Sequence, residues 1–211
     1  MAAWSAENAT NAYLRAIKMG ERAKEPDTAE FISALVAGTN ARLMVVACAG
    51  AADFTTLALV AAAYQTGGQV VCIVGGAAEL QLSKRRLGES AAGVKFVVGN
   101  AEFLLSSEYR EADCVVVDCR IKNCQEILEK GVGMNSLVLG YNAFCRGFEL
   151  DDAHLLPIGE GLLVRRVSSS SGLTRTAPTT KKDSWGKGKR WVVRVDKFTG
   201  EEHVFRVARK A

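Results

Sequence analysis

Five short runs, apolar at nearly every position, constrain this chain more than anything else in it: Leu43–Cys48, Val70–Val74, Val94–Val98, Cys114–Val117 and Leu137–Leu139. A strand with one wet face alternates apolar and polar residues. Runs apolar on both alternations are expected only where both faces are covered, as in a parallel sheet between layers of helix. Segments with helical character lie between them, at Asp53–Gln65, Ala77–Leu87, Ala101–Ser107 and Lys122–Lys130. Repeated strand–helix–strand units connect by right-handed crossovers, which predicts an α/β fold with an open, doubly wound, mostly parallel Rossmann-like sheet.

The flanks complete this outline. Ser5 is placed to cap a first helix, on which Ala9, Ala12, Tyr13, Ala16 and Ile17 share one face and which Gly20 ends. That stripe of small residues suits close packing, either within the chain or in a homodimer. Pro26 and the Asp27/Glu30 pair announce a second helix carrying Phe31, Ile32, Leu35 and Val36, closed by Gly38. After Tyr141 the rhythm breaks. His154–Pro157 and Leu162–Arg165, joined by Ile158-Gly159-Glu160-Gly161, predict an antiparallel hairpin on the edge of the sheet. Residues 168–189, rich in Ser, Thr, Gly and Lys, read as a flexible basic linker. The alternating segments Trp191–Val195 and His203–Val207 predict a further hairpin, so the chain divides into a main domain, 1–167, the linker, and a C-terminal hairpin, 190–211.

No apolar run reaches ~18 residues, and the first residues lack a basic segment followed by an apolar one. The expectation is an intracellular protein, cytoplasmic or nuclear, neither secreted nor held in a membrane. Most of the six cysteines lie inside apolar runs. With no Cys-x-x-Cys pair and only two histidines, His154 and His203, they read as buried, reduced thiols rather than a zinc or redox site. Charge is uneven. Residues 1–164 carry 14 Lys+Arg against 19 Asp+Glu, net −5, and residues 165–211 carry 13 against 4, net +9. The basic end is a candidate surface for an acidic partner or nucleic acid, through residues 181–190 with Lys181, Lys182, Lys187, Lys189 and Arg190 as contacts. Its alternative reading is a solvated tail beside a sheet edge. Trp185 and Trp191 flank the stretch, as stacking groups or, for Trp191, as packing under the terminal hairpin.

Two stretches resemble the metal-dependent O-methyltransferases of the caffeoyl-coenzyme A and catechol type. Leu155-Leu156-Pro157-Ile158-Gly159-Glu160-Gly161-Leu162-Leu163-Val164-Arg165-Arg166 is similar to their closing hairpin, and Ala112-Asp113-Cys114-Val115-Val116-Val117-Asp118 to their fourth strand. Nearly the whole chain, especially Trp4-Ser5-Ala6-Glu7-Asn8-Ala9-Thr10-Asn11-Ala12-Tyr13-Leu14, resembles a plant family of uncharacterised proteins with a Rossmann-like, methyltransferase-like fold.

The resemblance implies a sheet of class I methyltransferase type and S-adenosylmethionine as cofactor, bound at the carboxyl ends of the strands. The matching positions are Cys48, Ala49 and Gly50 after the first strand, Gly75 after the second, Gly99, Asn100 and Ala101 after the third, and Asp118 after the fourth. Val45 and Val74 stand where carboxylates are expected. An apolar group at Val74 forgoes two charge-assisted hydrogen bonds to ribose hydroxyls, each worth about 1.5–3 kcal/mol, which weakens the implied grip some hundredfold or more. For metal binding and catalysis the resemblance implies Asp118 and Asn142, with Tyr141 replacing a second carboxylate. One carboxylate and one amide cage a hydrated divalent cation poorly. Asp118 has a structural reading too, as a strand-end residue capping the next loop, and Lys122 is a base candidate with a solvated alternative. The leading expectation is a methyltransferase-fold protein with degenerate cofactor and metal sites that binds a ligand or partner. Its rivals are an active O-methyltransferase using Asp118 and Asn142, and a nucleic-acid or acidic-partner binder.

Overall fold

The computed structural model describes residues 4–20, 28–130, 136–147, 153–166, 189–195 and 202–208. The chain divides into two compact units, Met1–Ser170 and Ser171–Ala211. In the second, β8 (Lys189–Val195) and β9 (Glu202–Ala208) pair antiparallel. The expected cap at Pro26 and Asp27, the linker up to residue 188 and Trp185 lie outside the described residues.

The first unit is a mixed α/β sheet of seven strands in the order β3-β2-β1-β4-β5-β7-β6. Strands β1 (Leu43–Ala47), β2 (Gln69–Val74), β3 (Val94–Val98), β4 (Cys114–Asp118) and β5 (Leu137–Tyr141) run parallel, while β7 (Leu162–Arg166) joins β5 antiparallel and β6 (Ala153–Leu156) closes the edge. The inner strands β1, β2, β4 and β5 are buried on both faces, as their doubly apolar runs require, while β3, at one edge and expected to be covered likewise, is only partly buried, with Lys95 and Val98 exposed. On one side Met44, Val46, Cys72, Val116 and Leu139 pack with helices α1 (Ala6–Met19), α2 (Thr28–Gly38) and α3 (Phe54–Thr66) and with Leu80 and Leu87 of α4 (Ala77–Leu87). On the other, Val45, Val71, Val115 and Val138 meet Leu105 of α5 (Ala101–Ser106) and Ile127 and Leu128 of α6 (Cys124–Lys130). Each large side chain fully buried here contributes about 1.5–3 kcal/mol. Among the described residues, no helix is long and apolar enough to cross a membrane.

Local chemistry starts and stops these elements. Ser5 accepts from the Asn8 amide at 3.2 Å and Asp53 from the Thr55 amide at 3.0 Å, satisfying amides left free at the starts of α1 and α3. Gly67, at φ +65, closes α3 in the left-handed conformation that a side chain resists. The alanine stripe of α1 is spent inside the chain: Ala9, Ala12 and Ala16 are buried, and α1 packs on α2 and α3. At the amino end of the sheet, the Asp113 carboxylate accepts from the amides of Arg42 and Leu43, both at 2.8 Å, and fixes where β1 begins beside β4. All six cysteines are free thiols, and only Cys145 is exposed.

Candidate functional site

Strand order reverses between β1 and β4, because the chain builds outward to β2 and β3 before returning to the other side of β1. Ligands of open α/β sheets bind outside the carboxyl ends of the strands at such a switch point. The tips of β3, β2, β1 and β4 form a row there. With strands about 4.8 Å apart, four tips span roughly 14 Å, the length of a nucleoside with a short tail.

The row has a glycine at three turnings. Nothing lies within 4 Å of a Cβ built on Gly50 or Gly75, so the chain leaves open space at both. Gly99 is tighter, with Leu104 Cδ1 at 3.1 Å from such a Cβ, and its amide donates to the Val74 carbonyl at 3.1 Å. Asn100 caps α5 by accepting from the Phe103 amide at 3.0 Å, and Ala101 opens that helix. The loop after β1 is held down from α4. Buried Ser83 accepts from the Ala52 amide at 2.8 Å and donates to the Glu79 carbonyl at 2.6 Å. Replacing Ser83 by Ala orphans the buried Ala52 amide, and the expected loss of about 1–3 kcal/mol is readable as a lower urea midpoint.

Two sequence expectations shift. Val45 does not stand at the tip of β1: it is fully buried in mid-strand, facing α5 and α6, and the strand ends two residues later at Ala47. Cys48, expected to meet a cofactor, turns inward. Its amide donates to the Ile73 carbonyl at 3.0 Å and its Sγ lies 3.7 Å from Cys72 Sγ, which pushes the thiol pKa well up. Val74 does end β2, with its side chain buried.

The structure brings Asp118 and Asn142, the two positions that the resemblance implied for metal binding and catalysis, into direct contact. Asn142 Nδ2 donates to Asp118 Oδ1 at 3.0 Å. Asn142 adopts a left-handed conformation, φ +58, fixed from outside: the β6–β7 turn accepts through Gly161 O from the Ala143 amide and through Glu160 O from the Phe144 amide, both at 2.9 Å. Gly161 itself sits at φ +88 with the Phe144 ring 2.9 Å from where a Cβ would be. The hairpin that carries the resemblance thus shapes the turn presenting Asn142.

The unexpected member is Arg120. Its Nε reaches both oxygens of Asp118 at 3.0 and 3.2 Å, its Nη2 reaches Oδ2 at 2.7 Å, and its own amide donates to Oδ1 at 3.1 Å. Asp118 is 1% exposed and the Arg120 side chain 57%. Burial pushes the Asp118 carboxyl pKa up, but the hydrogen bonds from Arg120 and Asn142 outweigh it and hold it below the ordinary range. Asp53 and Tyr141 feel the same charges. Burial raises the Asp53 carboxyl, with the Asp118 charge adding to it, and burial also raises the Tyr141 phenol. Lys122 is exposed, and its carbonyl accepts from Arg146 Nη1 at 2.8 Å.

Tested as a metal centre, this donor set does not fit. Both Asp118 oxygens are engaged by a guanidinium, Asn142 presents its NH₂ group to them, and Tyr141 is a buried, neutral phenol. No group of three or more His, Cys, Asp or Glu among the described residues is placed to hold a metal ion.

A family model described as "Protein of unknown function (DUF1442)" matches residues 1–207. The chain belongs to that family. No curated protein matches it. Solved structures with the same fold include a methyltransferase from Geobacter sulfurreducens, 20% identical, TM-score 0.52, covering 78% of this chain and 91% of that one. The O-methyltransferase TomG from Streptomyces achromogenes, involved in tomaymycin synthesis and solved with SAM, is 16% identical, TM-score 0.53, with 80% and 92% covered. The SAH-bound methyltransferase PaMTH1 from Podospora anserina is 14% identical, TM-score 0.51, with 77% and 89% covered. The DUF1442 chain therefore has the Rossmann-like class I methyltransferase fold, with its antiparallel edge.

Sequence reasoning missed three groups at the tips of this DUF1442 sheet. Arg120 was signalled only by its spacing two residues after Asp118, and Asp53 read as a helix start. Glu79 lies in the first turn of α4 and folds back until its Oε2 is 2.7 Å from where a Cβ on Gly76 would be. Its carboxylate makes no hydrogen bond or ion pair among the described residues. Exposed apolar side chains follow three of the tips: Phe54 after β1, Phe103 after β3 and Phe144 after β5.

Proposed function

We propose that the row of strand tips holds a nucleoside of the S-adenosylmethionine type, the methylated cofactor or its demethylated product, and that the protein works by binding this ligand rather than by transferring a methyl group. The open backbone at Gly50 and Gly75 would let the ligand approach closely, and Phe103 offers a face for the base. Glu79, with its carboxylate unengaged beside Gly76, would supply the hydroxyl acceptor that Val74 cannot. When bound, the cofactor would supply an activated methyl group. The observation that carries the non-enzymatic reading is the closure of Asp118: the group best placed to orient a substrate hydroxyl spends both oxygens on Arg120 and Asn142.

Calorimetry with S-adenosylmethionine and S-adenosylhomocysteine tests the reading. Saturable binding of either, without methyl release in the presence of catechol-type acceptors, is the expected result. Binding accompanied by turnover would establish an O-methyltransferase instead, and no binding of either compound would remove the nucleoside. The expected location is tested by Gly75→Leu. With nothing near position 75 to clash, the fold should keep its stability within about 0.5 kcal/mol while the filled crevice loses at least tenfold in affinity.

A further inference from the structure

We propose that the C-terminal ribbon of β8 and β9 binds single-stranded nucleic acid, with Phe205 as the stacking group and Arg190 and Arg194 as phosphate contacts. This binding requires nothing of the ligand held at the strand tips.

Charge selects a polyanion as the partner. Ser171–Ala211 carries 11 Lys+Arg against 4 Asp+Glu, net +7, whereas Met1–Ser170 carries 16 against 19, net −3. Cations gathered in this way release the counterions condensed on a phosphate backbone, and the gain grows with each phosphate neutralised. An aromatic ring between such cations adds a preference for single strands, because a base free of its partner can stack on the ring while a base inside a duplex cannot.

The strand register places an aromatic residue between two arginines. In an antiparallel pair, residues directly opposite share a face, and the faces alternate along each strand. Strands β8 and β9 pair over seven positions, from Lys189 opposite Ala208 to Val195 opposite Glu202. One face therefore takes Arg190, Val192 and Arg194 from β8 and Val207, Phe205 and His203 from β9. Phe205 stands at its middle, opposite Val192, with Arg190 and Arg194 one same-face step away on either side, about 14 Å apart along the strand. Glu202, the acid among the paired residues, takes the other face with Val193, Val195 and Val204. The arginine face thus combines positive charge and an aromatic residue with no carboxylate among the described residues. A two-stranded ribbon by itself is marginally stable in water, so a ligand laid across this face also favours the paired form.

The test is fluorescence anisotropy of labelled oligouridine and oligothymidine of about 12 nucleotides, titrated with the full chain. Both or either should bind at about 50 mM salt, and log affinity should fall against log salt with a slope of about −2 or steeper, the release expected from three or more phosphates. Joint Arg190→Gln and Arg194→Gln substitution should flatten that slope by about 1.4. Phe205→Leu, which keeps apolar bulk and removes the ring, should lose about tenfold at an unchanged slope, and Phe205→Trp should bind at least as tightly as the wild type. Amide exchange at 189–195 and 202–208 should slow when the oligonucleotide is added. A preference for RNA or for DNA supports the proposal equally. It is overturned by no binding at about 50 mM salt, by full affinity in Phe205→Leu, or by equal competition from a duplex of the same length, from polyglutamate or from vesicles of an anionic lipid, each of which would leave charge as the sole attraction.

Discussion

Placing alanine at position 68 is expected to cost the fold about 3 kcal/mol, the upper end of what overpacking costs. A Cβ on Gly68 would lie 2.6 Å from the Arg42 carbonyl oxygen and 3.0 Å from that of Ala41. Both are main-chain atoms, and neither can swing aside as a side chain would. The Gly68 amide donates to Ala63 O at 3.2 Å as α3 ends, and the Gln69 amide donates to Arg42 O at 2.6 Å as β2 begins against β1. Relief of the clash would therefore break the start of the β1–β2 ladder. The urea midpoint should fall with an unchanged slope, while Gly50→Ala, with nothing nearby, should leave it in place. An unchanged midpoint for Gly68→Ala would show that this junction yields without cost.

The second large effect is expected from Asp118→Ala. It strips four donor groups of their acceptor and leaves the Arg120 charge unpaired; because Arg120 is more than half exposed, water recovers part of the loss, and the expected cost is about 2–3 kcal/mol. Its pH dependence identifies the cause. The folded carboxyl pKa is held below its ordinary value of 3.8, so the stabilisation is full above that value and disappears as pH falls below it toward the depressed one. The gap between wild type and variant should then be widest at neutral pH and close in acid. Asp53 works oppositely. Its raised pKa means that folding favours the protonated form, a contribution present in acid and lost as pH rises through the raised value. A gap that does not change between neutral pH and pH 3 would show that the Asp118 charge is not what Arg120 holds.

The sheet was legible because burying a strand on both faces requires apolar residues on both alternations, and that leaves a continuous mark on the sequence. The first helix start was legible at Ser5, where a short oxygen-bearing side chain precedes an apolar face, whereas the capping role of Asn100 was found only in the structure. That Asp118 and Asn142 belong together was implied only by the resemblance to the metal-dependent O-methyltransferases; the fold brings them together because β4 and β5 are parallel neighbours with Asp118 opposite Tyr141. Other features needed register and reach. Val45 was placed two residues from its true position relative to the tip because an apolar run does not say where pairing stops. Arg120 was passed over because a long, charged side chain in a loop gives no sign of turning back onto its neighbour. Glu79 was passed over because an acid in the first turn of a helix, three residues after the capping Gly76, is an ordinary helix-start residue and gives no sign that its carboxylate is left unengaged.

Cys145 is the one accessible thiol among six, three residues beyond Asn142 on the short turn Ala143–Cys145. A maleimide dye added to the native protein would therefore attach at a single place, next to the crevice, without prior removal of other cysteines. Fluorescence from that dye would report occupancy of the strand tips in real time, giving association and dissociation rates for any compound tried.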